Sequence, residues 1–169
     1  MAEQQSAELF KPTSLDHHDG LLKVLLTYWD RSPKIDGVPK KSNFDVTSLS
    51  EIDSAIIPHL WVLEMEEETG RFRYRLVGDA LISAGALCRV GMYLDDYTGI
   101  SDLDEQFQRI VERRLPHCRS GTSQMPHVAE IVSLEALITP WCDHEGKISH
   151  LINATVYNWD VGYRSSSAF

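Results

Sequence analysis

The sequence predicts an α+β domain in which an antiparallel sheet carries helices mainly on one face. Apolar residues recur at helical spacing within residues 14–30 and 101–115. Period-two alternation marks two segments within residues 59–77 and two more within 131–159. Because strands joined by short turns pair antiparallel, these segments form one sheet, against which the helices bury their apolar faces.

The length and net charge of the chain limit the number of domains and the kinds of binding partner that are expected. Its 169 residues predict one domain at 14–159, with a flexible arm at 1–13 and a tail at 160–169. With 16 basic and 25 acidic side chains, the formal net charge is -9. An acidic surface disfavours binding to nucleic acid and to anionic membranes, so neither is expected as a partner.

The chain is expected to be cytoplasmic. It opens with no basic leader followed by an apolar run, and it contains no apolar stretch long enough to span a membrane. Its three cysteines, Cys88, Cys118 and Cys142, lie far apart, a pattern typical of reduced thiols in a reducing compartment.

The first helix is predicted over residues 14–30. Its apolar stripe consists of Leu22, Leu25, Leu26 and Trp29. The stripe is wide for a short helix, so we expect it to form a homodimer interface. The alternative is that the helix packs on its own sheet.

A loop rich in proline and lysine follows at residues 31–42. Residues 48–51, SLSE, have the form of a capping box. They predict a short helix that opens at Ser48 and ends before Pro58.

A β-hairpin is predicted next. The segments HLWVLEM, residues 59–65, and FRYRLVG, residues 72–78, alternate with period two and are joined by a turn that ends in Gly70. The alternation places Phe72, Tyr74 and Leu76 on one face. Asp79 is then expected to cap a helix that extends to residue 88.

Three arginines alternate with these apolar residues, at Arg71, Arg73 and Arg75. One interpretation is a solvated sheet face on which they pair with Glu64, Glu66 or Glu68 of the neighbouring strand. The other is that Arg75 turns inward, or into an interface, and holds a carboxylate or phosphate.

The second half of the chain continues with a long helix and closing strands. Ser101 is expected to cap a helix that Pro116 ends, and a weak β segment is expected at 123–129. Two longer strands, within 131–141 and 147–159, are joined by the turn DHEG.

The order hairpin, short helices, long helix and β-meander resembles that of a PAS domain. The pair Tyr28-Trp29, the segment IIPHLWVLEME at 56–66 and RFRYRLVG at 71–78 resemble a bacterial PAS subfamily whose members are often small single-domain proteins. The likeness covers roughly residues 21–158. It implies a five-stranded antiparallel sheet, with an N-terminal helix before it and a sensory or ligand-binding role. In such folds a small molecule lies between the concave face of the sheet and the short helices.

The candidate pocket residues are core-facing groups with a polar atom, together with small residues opposite them. They are Trp61, Tyr74, Arg75, His150 and Asn153, with Gly85 and Cys88 as the small residues. The alternative is that these side chains simply fill the core at normal density. His150 in particular is also consistent with a core histidine whose hydrogen bonds are satisfied.

No motif indicates a metal site, a named cofactor or an enzyme. The seven histidines and three cysteines show no zinc-finger spacing, and neither a nucleophile elbow nor a phosphate-binding loop is present. A nucleophile assembled from Cys118, His117 and Asp102 is disfavoured, because neighbouring residues rarely point at each other.

The sequence therefore predicts a non-catalytic sensory or ligand-binding module with a small-molecule ligand. Its signal is expected to pass to another signalling protein by contact, or through a change in dimerisation. The alternative is a ligand-free scaffold domain that binds a partner protein directly.

Overall fold

The computed structural model describes residues 20–96, 101–121 and 133–158. Within these residues, the α-helices are α1 (Gly20–Arg31), α2 (Val46–Ile52), α3 (Asp79–Ser83) and α4 (Ser101–Arg113). The strands of the same residues are β1 (Lys34–Ile35), β2 (Val38–Pro39), β3 (Leu60–Met65), β4 (Phe72–Val77), β5 (His117–Gly121), β6 (Ser133–Cys142) and β7 (Ile148–Asn158). Short 3-10 turns cover Lys41–Asn43, Ser54–His59 and Leu94–Asp96. The predicted arm at 1–13, the tail at 160–169 and the weak strand at 123–129 lie outside the described residues.

Five strands form one antiparallel sheet in the order β4-β3-β7-β6-β5, which confirms the predicted α+β class and the five-stranded sheet. Strands β1 and β2 form a separate two-stranded ladder. Strand β5 corrects the sequence-based prediction, which placed no strand directly after Pro116. Its five residues pair with the first half of β6.

Both faces of the sheet are covered. The inner face, defined by Trp61, Leu63, Tyr74 and Leu151, packs against apolar residues of α3 and α4. The outer face packs against α1, α2 and the 3-10 turn at Ser54–His59. The expectation that helices gather mainly on one face is therefore corrected, because the two N-terminal helices bury their apolar stripes on the opposite side.

Helix α1 lies against its own sheet. Leu22 and Leu25 are fully buried, and the indole of Trp29 donates a hydrogen bond of 2.7 Å from Nε1 to the carbonyl oxygen of Pro140. Leu26 is half-buried at the edge of the same cluster. Most of the stripe proposed as a dimer interface thus contacts the chain itself, and dimerisation stays a prediction.

Helix α2 begins at Val46, earlier than SLSE indicated. Its N-cap is Asp45, whose carboxylate accepts hydrogen bonds from the backbone nitrogens of Thr47 at 3.1 Å and Ser48 at 3.2 Å. Because a carboxylate satisfies two free N–H groups at once, this aspartate fixes the start of the helix. The predicted capping box at Ser48 is wrong.

Helix α3 is shorter than predicted and is capped differently. Its N-cap is Gly78, and Asp79 is already inside the first turn. The chain leaves the helix at Gly85, whose φ of +81° allows Ala86 to donate a 3.0 Å hydrogen bond back to the carbonyl of Leu81. Cys88 lies beyond the helix, on the loop that follows.

Gly78 is required by a close backbone crossing. A Cβ atom at this position would lie 2.1 Å from the carbonyl oxygen of Pro58 and 2.7 Å from that of Leu60. The Gly78 nitrogen uses the same proximity to donate a 2.7 Å hydrogen bond to Leu60. Any larger residue would push the hairpin away from the turn that precedes β3.

We therefore expect Gly78→Ala to lower the free energy of unfolding by about 3 kcal/mol, because the added methyl group must displace backbone atoms. Urea denaturation followed by circular dichroism measures the change. Gly20→Ala is the matched control, since a Cβ there meets nothing within 4 Å. Equal stabilities of the two variants would contradict the close crossing.

Candidate functional site

The three arginines of β4 and its preceding turn form ion pairs on the surface. Arg75 Nε lies 2.6 Å from Glu64 Oε2, and Arg73 Nη2 lies 2.9 Å from Glu66 Oε1. These are the cross-strand pairs expected of a solvated face. Arg71 instead binds the acidic 3-10 turn, with its Nη2 atom 2.7 Å from Asp95 Oδ1. Each of the three arginines is thus paired with an acidic side chain of the same chain.

A bulge in β4 changes which residues share a face. Leu63 pairs with Tyr74 and Val62 pairs with Leu76, so Arg75 is the extra residue. As a result Phe72 and Tyr74 lie in the inner core, whereas Leu76 packs against the outer one. The prediction that all three face the same side is wrong for Leu76. Arg75 is exposed and lies away from the inner face.

His150 lies on the outer face, away from Trp61 and Tyr74. Its Nδ1 atom is 2.9 Å from the hydroxyl oxygen of Ser149, and its Nε2 atom is 3.9 Å from Glu64 Oε1. Burial is the main cause that lowers its pKa to about 4. The positive charges of Lys41 and Arg75 act in the same direction, and Glu64 opposes them. The structure thus holds this imidazole neutral.

A groove of about 420 Å³ opens at this end of the sheet, between the β3–β4 hairpin and the turn that joins β6 to β7. Its carboxylates already have partners. Glu64 pairs with Arg75, Glu66 with Arg73, and Glu67 Oε1 lies 3.9 Å from Lys147 Nζ. The negative charges of these three glutamates are therefore balanced by basic side chains of the chain itself.

The inner face brings together Trp61, Tyr74, Cys88 and Asn153. Trp61 and Asn153 are directly opposite each other on β3 and β7, and Asn153 is opposite Ile138 on β6. The rings of Trp61 and Tyr74 lie 6.1 Å apart, and Cys88 belongs to the same buried cluster. Four of the seven predicted pocket residues thus share one region.

The other three predicted residues do not contribute side chains there. Arg75 and His150 are placed elsewhere by the pairing of their strands, and Gly85 serves to end helix α3.

Asn153 is the most unusual residue of this region. Its side chain is fully buried in the central strand of the sheet. Its Nδ2 atom donates a long hydrogen bond, 3.3 Å, to the carbonyl of Leu151. Among the residues that the structure describes, none is a hydrogen-bond partner of its Oδ1 atom. A buried amide oxygen in this state costs roughly 1–3 kcal/mol, so the packing of the core alone does not account for it.

Sequence reasoning missed three polar residues that lie near Asn153. Thr155 accepts a 2.8 Å hydrogen bond from the indole nitrogen of Trp61. Arg119 is aligned with Thr155 across Ala136, and Tyr157 follows two positions later on β7. A signal was present, because Asn153, Thr155 and Tyr157 alternate with apolar residues in a buried strand.

Arg119 is a buried cation. Its side chain is 7% exposed, and its guanidinium carbon lies 6.0 Å from the ring centre of Phe107. Burial lowers its pKa to about 10, which leaves it charged at neutral pH, while Tyr74 and Tyr157 partly offset the effect. Burial also raises the pKa of Tyr157, so that phenol stays protonated. We refer to Tyr74, Arg119, Asn153, Thr155 and Tyr157 as the inner-face polar site.

The cysteine nucleophile considered above gains no support. Burial raises the pKa of Cys118 to about 12, which leaves the thiol protonated, whereas a nucleophile acts as the thiolate. Cys118 packs in the outer core, and His117 is opposite Ile138 of the inner core. The side chain of Asp102 is outside the described part of the structure.

Among the described residues, no group of three or more histidine, cysteine or acidic side chains is arranged to hold a metal ion. Within the same residues, no helix is long and apolar enough to cross a bilayer.

The low pKa of His150 predicts a pH dependence of stability. The unfolded chain takes up this proton near pH 6.5, and the folded state only near pH 4. The stability is complete above pH 6.5 and is lost as the pH falls toward 4, because the unfolded state then binds more protons. Between pH 7 and pH 4.5 we expect this group to account for about 2 kcal/mol of lost unfolding free energy.

Urea denaturation of the wild type and of His150→Gln at both pH values isolates this contribution. The variant should lose about 2 kcal/mol less than the wild type. His144→Gln, at a histidine whose side chain is 86% exposed, is the control. If all three proteins lose the same stability, His150 does not titrate as the burial indicates.

Neither a protein-family model nor a curated protein matches this chain. Among solved structures, the chain is similar to the PAS domain of BvgS from Bordetella pertussis, with 16% sequence identity and a TM-score of 0.44. The match covers 70% of this chain and 92% of that one. In its own elements the chain has the hairpin, short helices, long helix and three closing strands that its sequence resemblance implied. The fold is PAS-like.

Proposed function

We propose that this chain is a sensory module that binds a small molecule at the inner-face polar site. The observation that carries the proposal is Asn153, which is fully buried and whose amide oxygen has no partner within the described part of the chain. A leucine has the same branched shape and would occupy this position without the cost of an unpaired polar atom. Retaining a destabilising polar group in a core is typical of a functional site, where stability is traded for activity.

The surroundings of Asn153 favour a ligand with both polar and apolar parts. Trp61 and Phe107 have ring centres 5.9 Å apart, and Phe107 also contacts Phe72 at 6.0 Å. Aromatic surface bordered by a few convergent polar groups is the usual composition of a small-molecule site. A ligand that reaches Asn153 must displace part of this aromatic packing, and Phe107 extends that displacement to helix α4.

Signalling would then proceed by contact with another protein or through a change in dimerisation. Because Leu22, Leu25 and Trp29 pack on their own sheet, a second subunit would contact the side of α1 that carries the exposed Lys23, Thr27 and Asp30. We keep the homodimer as part of the proposal on this basis.

A ligand-free interaction domain is the second candidate, and one observation favours it. Three apolar side chains, Ile82, Leu87 and Val90, are 45%, 41% and 62% exposed within a stretch of nine residues. Clustered exposed apolar groups are typical of protein-binding surfaces. In this alternative the aromatic packing around Trp61 is simply core.

Native mass spectrometry of the purified protein separates these candidates. A ligand-binding module should show a non-covalent mass increment that disappears on denaturation. Asn153→Leu should reduce its occupancy, because the amide that contacts the ligand is lost. Asn158→Leu is the control, since Asn158 is exposed on the same strand and hydrogen-bonds to Ser133 at 3.2 Å.

The stability of the ligand-free variants completes the test. We expect Asn153→Leu to raise the free energy of unfolding by about 1 kcal/mol, because a buried polar atom without a partner is removed. An apo mass for the wild type, together with a marked loss of stability in Asn153→Leu, would show that the amide serves the fold. The interaction domain would then be the better description.

A further inference from the structure

The segment that joins α1 to α2 is basic in an otherwise acidic protein. Residues 31–41 carry four basic side chains and one acidic side chain. Without them, the totals of 16 basic and 25 acidic side chains fall to 12 and 24, so the rest of the chain has a formal charge of -12. Positive charge is thus concentrated in one short surface segment, which attracts acidic groups of a partner.

Two lysines of this segment lie beside the last residues of β6. Lys40 forms a parallel bridge with Cys142. The Nζ atom of Lys41 lies 5.5 Å from the ring centre of Phe44. That ring in turn contacts the indole of Trp141 edge-on, with 5.5 Å between the ring centres. The packing of the outer core therefore determines where Lys41 is held.

A third lysine, Lys34, lies beside the same strand end. Its Nζ atom is 4.8 Å from the ring centre of Trp29, whose indole nitrogen donates a hydrogen bond to the carbonyl of Pro140. The segment is also fixed to the strand by its interior, because Val38 is fully buried and its carbonyl oxygen lies 3.5 Å from the thiol of Cys142. The three lysines are thus carried by a segment that is packed in place.

Arg114 brings a further cation to this strand end. Burial raises the pKa of the Cys142 thiol, and the nearby positive charges of Arg114 and Lys40 oppose that shift. The φ of Arg114 is +58°, a left-handed conformation at the end of α4 that favours glycine. Its Nη2 atom is buried and has no hydrogen-bond partner among the described residues. An arginine is thus retained where glycine would fit the backbone better, as is typical of functional positions.

Within residues 20–96, 104–121 and 133–158, none of these four cations forms an ion pair with an acidic side chain. Lys34 donates hydrogen bonds to the carbonyl oxygens of Asp30 and Ser32, which leave its charge unpaired. The carboxylate of Asp143, next to Cys142, instead accepts hydrogen bonds from backbone nitrogens of its own turn. We refer to Lys34, Lys40, Lys41 and Arg114 as the basic surface.

We propose that the basic surface is the docking site for a short acidic segment of a partner protein. The three residues Pro140, Trp141 and Cys142 span about 7 Å of strand, so an extended segment of about six residues, roughly 20 Å long, covers the surface. Because Lys34 and Lys41 already lie against aromatic rings, little side-chain freedom is lost when the segment binds.

The charge of the remaining chain favours a short acidic segment over nucleic acid or an anionic membrane. Both of these are extended anionic surfaces, and the formal charge of -12 outside residues 31–41 repels them. A peptide contacts only the basic surface. The inference does not depend on a ligand at the inner-face polar site, and it names the contact through which either candidate function would reach a partner.

The probe is a fluorescein-labelled peptide of alternating aspartate and glutamate, about eight residues long. Its matched control replaces these residues with asparagine and glutamine. Fluorescence anisotropy with the full chain should show binding of the acidic peptide at about 50 mM NaCl and roughly tenfold weaker binding at about 300 mM, because salt screens exposed charges. The amide peptide should not bind.

Variants assign the binding to the basic surface. Lys40→Gln combined with Arg114→Gln should weaken binding of the acidic peptide about threefold to tenfold, the effect of losing two exposed ion pairs. Lys23→Gln combined with Arg109→Gln removes the same charge from exposed positions of α1 and α4 and should retain most of the affinity. Arg114→Gly should also weaken binding, while the melting temperature stays unchanged or rises, because glycine favours the left-handed backbone.

The comparison of the two peptides on the wild type decides the proposal even if a variant does not fold. Equal binding of the acidic and amide peptides, or binding of neither, overturns it. Equal weakening by the two double variants overturns it as well, because net charge rather than the basic surface would then govern binding. Binding to vesicles that contain phosphatidylserine, without binding of the peptide, would assign the surface to a membrane instead. Native mass spectrometry tests the inner-face ligand separately, so the two proposals can fail independently.

Discussion

The central strand β7 is the constraint on which the rest of the structure depends. It is hydrogen-bonded to β3 along one edge and to β6 along the other, and helices cover both of its faces. No side chain in its middle reaches water, so each polar atom there must find a partner inside the protein. Thr155 does so through Trp61, whereas the amide oxygen of Asn153 finds none in residues 20–96, 101–121 and 133–158. The functional interpretation follows from this difference between two residues on one strand.

Most of the architecture could be predicted from the sequence, because alternation and helical spacing report burial directly. The residues facing inward could not all be predicted, since two register shifts interrupt the alternation. One lies between Val62 and Leu63 and turns Leu76 outward; the other lies between Trp141 and Cys142, next to His150. A bulge depends on the pairing of two strands and leaves no local mark in either one. Asn153 lies where the pairing is regular, and Tyr74, next to the bulge, still pairs with Leu63 of the inner face, which is why the face that they share with Trp61 could be predicted.

Arg119 was missed for a different reason. Its strand, HCRSG, has a low intrinsic preference for β structure and follows a proline that ends a helix. It becomes a strand because β6 offers a free edge for all five of its residues. Local sequence also misplaced the cap of α2, because Asp45 accepts hydrogen bonds from the N–H groups of Thr47 and Ser48 and so caps the helix three residues earlier than predicted. In both cases the interaction that determines the structure is made by residues outside the local sequence pattern on which the prediction was based.

The hairpin that carries three arginines in an acidic protein contacts the polar site through side chains at the start of β3. Thr155 contacts Trp61 with its side chain, and its carbonyl oxygen accepts a 2.9 Å hydrogen bond from His59 Nδ1. His59 follows Pro58, whose carbonyl leaves no room for a side chain at position 78. Gly78 in turn begins α3, the helix that carries the exposed Ile82. Because interiors at normal density leave little slack, these contacts connect Thr155 closely to the start of a surface helix. The ion pairs of Arg73 and Arg75 link β4 to Glu64 and Glu66 on the other side of the same hairpin.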